Sequence, residues 1–164
     1  MKLKKLYLLL TLLLFFTPAK SETDYSFYAG TFYTIDKEGD DEATLYGFEH
    51  NTHVLFRDTF AGKFSPITGG FITEKDSIFI YTGVQAQYEI GPLKITPSFA
   101  PGYYEKGDGK DLGMALEFQS KIKLSFDFFK DTKIGYSYSH ISNNDWGTIN
   151  PGVNNETVSF SKIF

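Results

Sequence analysis

Met114-Ala-Leu-Glu-Phe-Gln-Ser-Lys-Ile-Lys-Leu-Ser-Phe-Asp-Phe128 alternates apolar and polar side chains along nearly its whole length. Successive side chains of an extended strand point to opposite sides. Met114, Leu116, Phe118, Ile122, Leu124, Phe126 and Phe128 therefore share one face. Ala115, Glu117, Gln119, Lys121, Lys123, Ser125 and Asp127 share the other. Only Ser120 interrupts the apolar side. A strand of this length with one apolar and one wet face belongs to an antiparallel sheet.

The same pattern recurs on both sides of this stretch. Ile78, Ile80, Val84, Ala86, Tyr88 and Ile90 oppose Gly83, Gln85, Gln87 and Glu89, and Leu93, Ile95 and Phe99 oppose Lys94, Thr96 and Ser98. Gly91-Pro92 and Lys130-Asp131 read as tight hairpins, while Lys37–Asp41 and Glu105–Asp111 read as longer turns. The reading predicts eight strands, near 25–35, 43–51, 63–73, 77–90, 93–104, 112–129, 132–143 and 156–164. Eight antiparallel strands close into a small barrel. Periodicity alone is equally compatible with a soluble, lipocalin-like barrel holding its apolar residues inside.

The two ends favour the membrane form. Lys2, Lys4 and Lys5, the apolar run Leu6 to Phe16 and the stretch Thr17-Pro18-Ala19-Lys20-Ser21 have the layout of a secretory signal, with cleavage expected after Ser21. The expected division is a signal peptide over 1–21 and one outer-membrane barrel domain over 22–164. The leader's apolar run is about half the roughly 20 residues a transmembrane helix needs. At the other end, Val158, Phe160 and Phe164 share a face, as in the closing strand of an outer-membrane barrel, with Lys162 snorkelling to the interface. The fold expected is all-β, an eight-stranded antiparallel transmembrane β-barrel of the outer membrane.

Composition narrows the function. The leader holds four of the 16 basic residues and none of the 20 acidic ones, leaving 12 against 20, a formal charge of −8. One arginine, Arg57, and no basic cluster argue against nucleic-acid binding and phosphate clamping. The absence of cysteine excludes disulfides, a thiol nucleophile and thiolate metal sites. In so narrow a barrel the lumen is filled by side chains. Gln85, Glu89, Glu117, Lys121 and Lys123 are expected to form an internal polar network, not a pore.

The chemistry gathers near the C-terminus. In Tyr136-Ser-Tyr-Ser-His140-Ile-Ser142-Asn143, strand parity puts Tyr136, Tyr138, His140 and Ser142 on the aromatic, lipid-facing side. A serine hydroxyl needs a neighbouring base, and a histidine serves best when a carboxylate fixes its tautomer. Ser142 is the expected nucleophile, His140 the base and Glu156 the orienting acid, since Glu156 shares parity with Val158 and Phe160. Asn143 is the candidate oxyanion donor, through its backbone or side chain. With both termini periplasmic, the connection 144–155 lies at the cell surface. The lipid met there in a Gram-negative envelope is lipopolysaccharide, which nominates lipid A as the substrate.

His140-Ile-Ser142-Asn143, Asn150-Pro-Gly and Glu156 together resemble the signature of the lipid A 3-O-deacylase family, the PagL-like acyloxyacyl hydrolases. Phe60-Ala-Gly-Lys63-Phe-Ser-Pro66, Gly69-Gly70, Thr96-Pro-Ser-Phe-Ala-Pro101-Gly-Tyr103-Tyr104 and Gly107-Asp-Gly-Lys-Asp-Leu-Gly113 are similar to stretches of its exported members, so the likeness covers most of 25–164. It implies an eight-stranded outer-membrane barrel and a Ser-His-Glu esterase releasing the 3-linked acyl chain of lipid A. The departure is Asn144, where a small residue often follows His-x-Ser-Asn in the family.

Other features are given structural roles. His50 and His53, three apart, point to opposite faces of a strand and make no metal site. The acidic stretch 36–42 reads as a solvated loop and Trp146 as an interfacial anchor. No cofactor or metal is expected. Two other functions fit the same barrel: a non-catalytic structural or lipid-binding protein, and a phospholipase or acyltransferase using the same serine.

Overall fold

The alternation read over 114–128 is realised as a strand, β7 (Leu116–Phe129), in the computed structural model of the protein. The structure describes residues 23–33, 42–52, 57–59 and 62–164. Before β7 in the chain come β1 (Thr23–Tyr33), β2 (Ala43–Thr52), β3 (Arg57–Thr59), β4 (Gly62–Thr73), β5 (Ile78–Ile90) and β6 (Leu93–Glu105); β8 (Thr132–Ser142) and β9 (Val153–Ile163) follow. All pairings are antiparallel. From β4 to β9 each strand pairs with the next, β9 pairs with β1, β1 with β2, and β2 with β4. That last pairing closes the sheet into a barrel of eight long strands. β3 is a short piece that pairs only with the start of β4, where β2 has already ended.

The barrel has two unlike ends. At one, the turns at 91–92 and 130–131 are tight, with Gly91 and Asp131 at φ of 59° and 57°, and the first and last described residues, Thr23 and Phe164, exchange backbone hydrogen bonds of 3.1 and 2.9 Å. The other end carries the longer connections 106–115 and 143–152. Two strand starts differ from the sequence expectation by three residues or more. Residues 112–115 leave the strand because Gly113 adopts a φ of 97°. β9 begins at Val153, three residues earlier than expected. The leader, positions 36–41 of the acidic loop, His53 and the Phe60-Ala61 pair lie outside the described residues.

Burial decides which face is outside. Phe27 is 66% exposed and Val158 59%, whereas Glu117 is 0% and Glu49 2% exposed. Large apolar side chains also cover the outward faces of β5, β6, β7 and β8, among them Ile80, Phe99, Ile122 and Tyr138. A soluble barrel would reverse this arrangement, so the lipocalin alternative falls and the outer surface is built for lipid. Among the described residues, no helix is long and apolar enough to cross a membrane. The strands make the crossing.

Much of the interior is filled by side chains, with a recess left beside Lys63, Ser65, Gln85 and Gln87. Phe32, Leu45, Ile67, Phe71, Phe79, Tyr81, Tyr104, Leu112, Ile141 and Val153 form an apolar plug within the barrel. Polar residues fill much of the rest: Lys121 pairs with Glu49, Lys123 lies 3.6 Å from the same carboxylate, and Lys133 reaches Asp24 at 2.7 Å. The expected internal network therefore exists around Glu49. It omits Gln85, which bonds Ser65, and Glu89, which is exposed and bonds Gln87. Glu117 is buried apart from it, beside Asn143.

Candidate active site

Strand register builds the site. His140 of β8 stands opposite Ser120 of β7 on one side and Asn154 of β9 on the other, and Asn154 is in turn opposite Tyr33 of β1. Two pairs towards the long-loop end, Ser142 stands opposite Phe118. Two pairs the other way, Tyr138 stands between Ile122 and Glu156. His140 and Ser142 lie on the outward face, half-buried, as their parity predicts. Ser120, the one polar break in the apolar face of β7, is thus the residue beside the histidine.

The histidine's contact is with an amide. His140 Nδ1 lies 2.9 Å from Asn154 Oδ1. Glu156, the expected orienting acid, is not brought to His140: its carboxylate accepts hydrogen bonds from Tyr33 at 2.8 Å and Tyr136 at 3.0 Å. The reason is register. Both 154 and 156 face outward, but only 154 falls directly across from 140. The two tyrosine hydroxyls satisfy the Glu156 carboxylate at a lipid-facing position, where an unpartnered charge is costly.

A glycine holds the imidazole from the loop side. Gly152 has a φ of 63°, and a Cβ on it would lie 2.8 Å from His140 Cε1 and 3.3 Å from Nε2. With Nδ1 engaged by Asn154, Nε2 is the nitrogen left to exchange a proton with a neighbouring hydroxyl. Ser142 is two residues along the same strand face, about 7 Å at Cα by strand geometry. A serine and a histidine so placed can form the nucleophile and base of an acyl transfer.

Asn143 plays a different part from the one expected. Its side chain is fully buried on the inner face, and Nδ2 donates to the carbonyls of Leu112 at 2.6 Å and Ile149 at 2.8 Å. Its backbone N–H is also taken, by Asn150 Oδ1 at 3.1 Å. Odd parity sends this side chain inward, where it ties two connections together. Asn144 and Asp145 both have positive φ, 57° and 60°, and the Trp146 N–H closes the turn onto the Asn143 carbonyl at 3.1 Å. Asparagine and aspartate tolerate that backbone better than most residues, so Asn144 serves the turn.

Aromatic rings flank the serine. Phe118, opposite Ser142, stacks on Phe99 at 6.0 Å and meets the edge of Trp146 at 5.2 Å. His50 packs on Tyr25 at 4.9 Å. Among the described residues no group of acidic or histidine side chains is arranged to hold a metal ion.

Sequence reasoning missed Asn154, Gly152 and Ser120. Ser120 left a signal, since it alone broke an apolar face. Asn154 left only its parity, which Glu156 shares.

A closed eight-stranded barrel, apolar outside, with an apolar plug and buried ion pairs inside and a serine and a histidine on its lipid face, is a protein of the outer-membrane β-barrel class. The model of the lipid A 3-O-deacylase (PagL) family matches residues 27–162, and the chain belongs to that family. The crystal structure of the outer-membrane enzyme PagL superposes with a TM-score of 0.65 at 15% identity, covering 85% of this chain and 98% of that one. A de novo designed transmembrane β-barrel gives 0.59 at 9% identity, covering 90% and 98%. Neisserial surface protein A gives 0.52 at 9% identity, covering 89% and 98%. At these identities the likeness to solved structures concerns the fold. No curated protein sequence matches the chain.

Proposed function

We propose that the protein removes the 3-O-linked acyl chain from lipid A, with Ser142 as nucleophile and His140 as base, at the outer leaflet. The observation that carries this is the pair itself: a half-buried serine and histidine on the lipid face, with the Nδ1 side of the ring already engaged. Family membership supports the substrate. The two-residue turns 91–92 and 130–131 at the termini's end and the ten-residue connections 106–115 and 143–152 at the other support periplasmic termini and a surface-exposed 143–152 connection.

In the first half-reaction Ser142 Oγ bonds to the ester carbonyl carbon while His140 Nε2 takes the hydroxyl proton. The bond to the sugar oxygen then breaks, and that oxygen leaves with the proton from Nε2. In the second half, water attacks the acyl-serine, again giving its proton to Nε2. The fatty acid departs and Ser142 recovers its proton. Phe99, Phe118 and Trp146 offer the acyl chain an aromatic surface beside the nucleophile.

The test is to express wild type and Ser142→Ala in an outer membrane and compare the masses of extracted lipid A and phospholipids. Loss of one hydroxyacyl chain from lipid A with wild type only supports the proposal. Shortened phospholipids point instead to a phospholipase, and unchanged lipids with both proteins folded point to a structural barrel.

A further inference from the structure

The residue across the strand from the base is an amide, and the nearby carboxylate is occupied elsewhere. Asn154 Oδ1 lies 2.9 Å from His140 Nδ1, while both Glu156 oxygens accept from tyrosines, Oε1 from Tyr33 and Oε2 from Tyr136. We propose that Asn154, not Glu156, is the positioning residue of His140. This rests on the reading of Ser142 and His140 as nucleophile and base.

The chemistry of an amide acceptor suits the task. A carbonyl oxygen can only accept, so with Oδ1 towards the ring it must be His140 Nδ1 that carries the proton. That tautomer leaves a lone pair on Nε2, the nitrogen a general base needs. Asn154 is itself held in place: it is buried, it belongs to a regular stretch of β9, and it is paired with both His140 and Tyr33 in the sheet. Gly152 closes on the other side of the ring, so the imidazole is clamped between an acceptor and a backbone that admits no side chain.

An amide differs from a carboxylate in one respect. It fixes the tautomer without adding a negative charge, so it stabilises the imidazolium formed during catalysis less strongly. Replacing it by aspartate supplies that charge at a position already in contact. Glu156 is then a carboxylate with a local duty, bridging β1 and β8 through two phenol hydroxyls on the lipid face.

The experiment combines an assay and a spectrum on the full-length, folded barrel. Hydrolysis of purified lipid A is measured for wild type, Asn154→Ala, Asn154→Asp and Glu156→Gln, each checked for folding by its gel mobility with and without heating. The His140 tautomer is read from its imidazole nitrogen shifts in isotope-labelled protein in detergent.

The expected result is that Asn154→Ala lowers kcat by roughly 10- to 100-fold with little change in KM, as loss of one hydrogen bond to a charged transition-state group predicts. Asn154→Asp recovers at least wild-type activity, and Glu156→Gln stays within about twofold. The spectrum shows Nδ1–H in wild type and a shift towards Nε2–H in Asn154→Ala. A wild-type tautomer unchanged in Asn154→Ala, or a loss in Glu156→Gln as large as in Asn154→Ala, overturns the assignment. If no variant, wild type included, deacylates lipid A, the proposed activity fails, and the spectrum still decides whether Asn154 orients the ring.

Discussion

Gly152 stands against His140 so closely that a single added carbon would come within 2.8 Å of the imidazole Cε1. The backbone there is also left-handed, with φ at 63°. Gly152→Ala must therefore both strain the chain, by about 1 kcal/mol, and push the ring aside. A barrel with native gel mobility and more than tenfold slower hydrolysis of lipid A is expected. Full activity in that variant would show that the ring position is not critical.

Trp146 sits edge-on to Phe118, which faces Ser142 across the β7–β8 pair. If these rings receive the acyl chain, Trp146→Ala removes binding surface and leaves the reacting groups alone. An aromatic contact contributes about 0.5–1.5 kcal/mol, so KM should rise by a few-fold to about tenfold with kcat nearly constant. A fall in kcat at constant KM would place Trp146 in a different role.

Asn143 ties the connection after β8 to the one before β7 through the Leu112 and Ile149 carbonyls. Asn143→Ala leaves both carbonyls without that donor, at a cost of about 1–3 kcal/mol. Faster proteolytic cleavage within 143–152, with the strands still protected, is the expected readout. Loss of activity should follow from loop disorder and be partial, because the side chain does not face the substrate.

Glu49 holds Lys121 and Lys123 inside the barrel and accepts the Tyr81 hydroxyl at 2.7 Å. Glu49→Ala leaves two buried cations facing one another. Breaking a buried pair in this way costs about 3–5 kcal/mol, to be measured as a lower urea midpoint for unfolding from lipid vesicles. The variant that remains folded should hydrolyse lipid at a normal rate.

Asp111 lies in the connection between β6 and β7, where the Gly113 N–H and then Lys106 lower its pKa below the usual aspartate value. A depressed carboxylate contributes its contact above the unfolded value and loses it as pH falls through the lowered one. The Gly113 amide resonance should therefore move on acidification with a midpoint below about 3.9. A midpoint at or above that value would show that the Asp111 contact is not formed in solution.

Much of the architecture is legible in the sequence. The alternation in β7, the hairpins at 91–92 and 130–131 and the outward parity of His140 and Ser142 all follow from the two-residue period of a strand. Parity also misled. It placed Asn154 and Glu156 on the same face and Asn143 on the other, yet a carboxylate near a histidine was the more familiar partner. The inward parity of Asn143 turns its side chain to the Leu112 and Ile149 carbonyls.

What the sequence determined by itself is therefore periodic: that the chain is a barrel of eight long strands, and which residues of a given strand share a face. Whether the apolar face is the outer one was read correctly from the two ends and decided by burial. Register belonged to the tertiary structure alone. A long connection such as 143–152 can return the chain at any even offset without changing which side chains face lipid, so only the hydrogen-bonded pairing of β8 with β9 sets 154 opposite 140. The same pairing, continued into β1, gives the Glu156 carboxylate to Tyr33 and leaves the histidine to an amide.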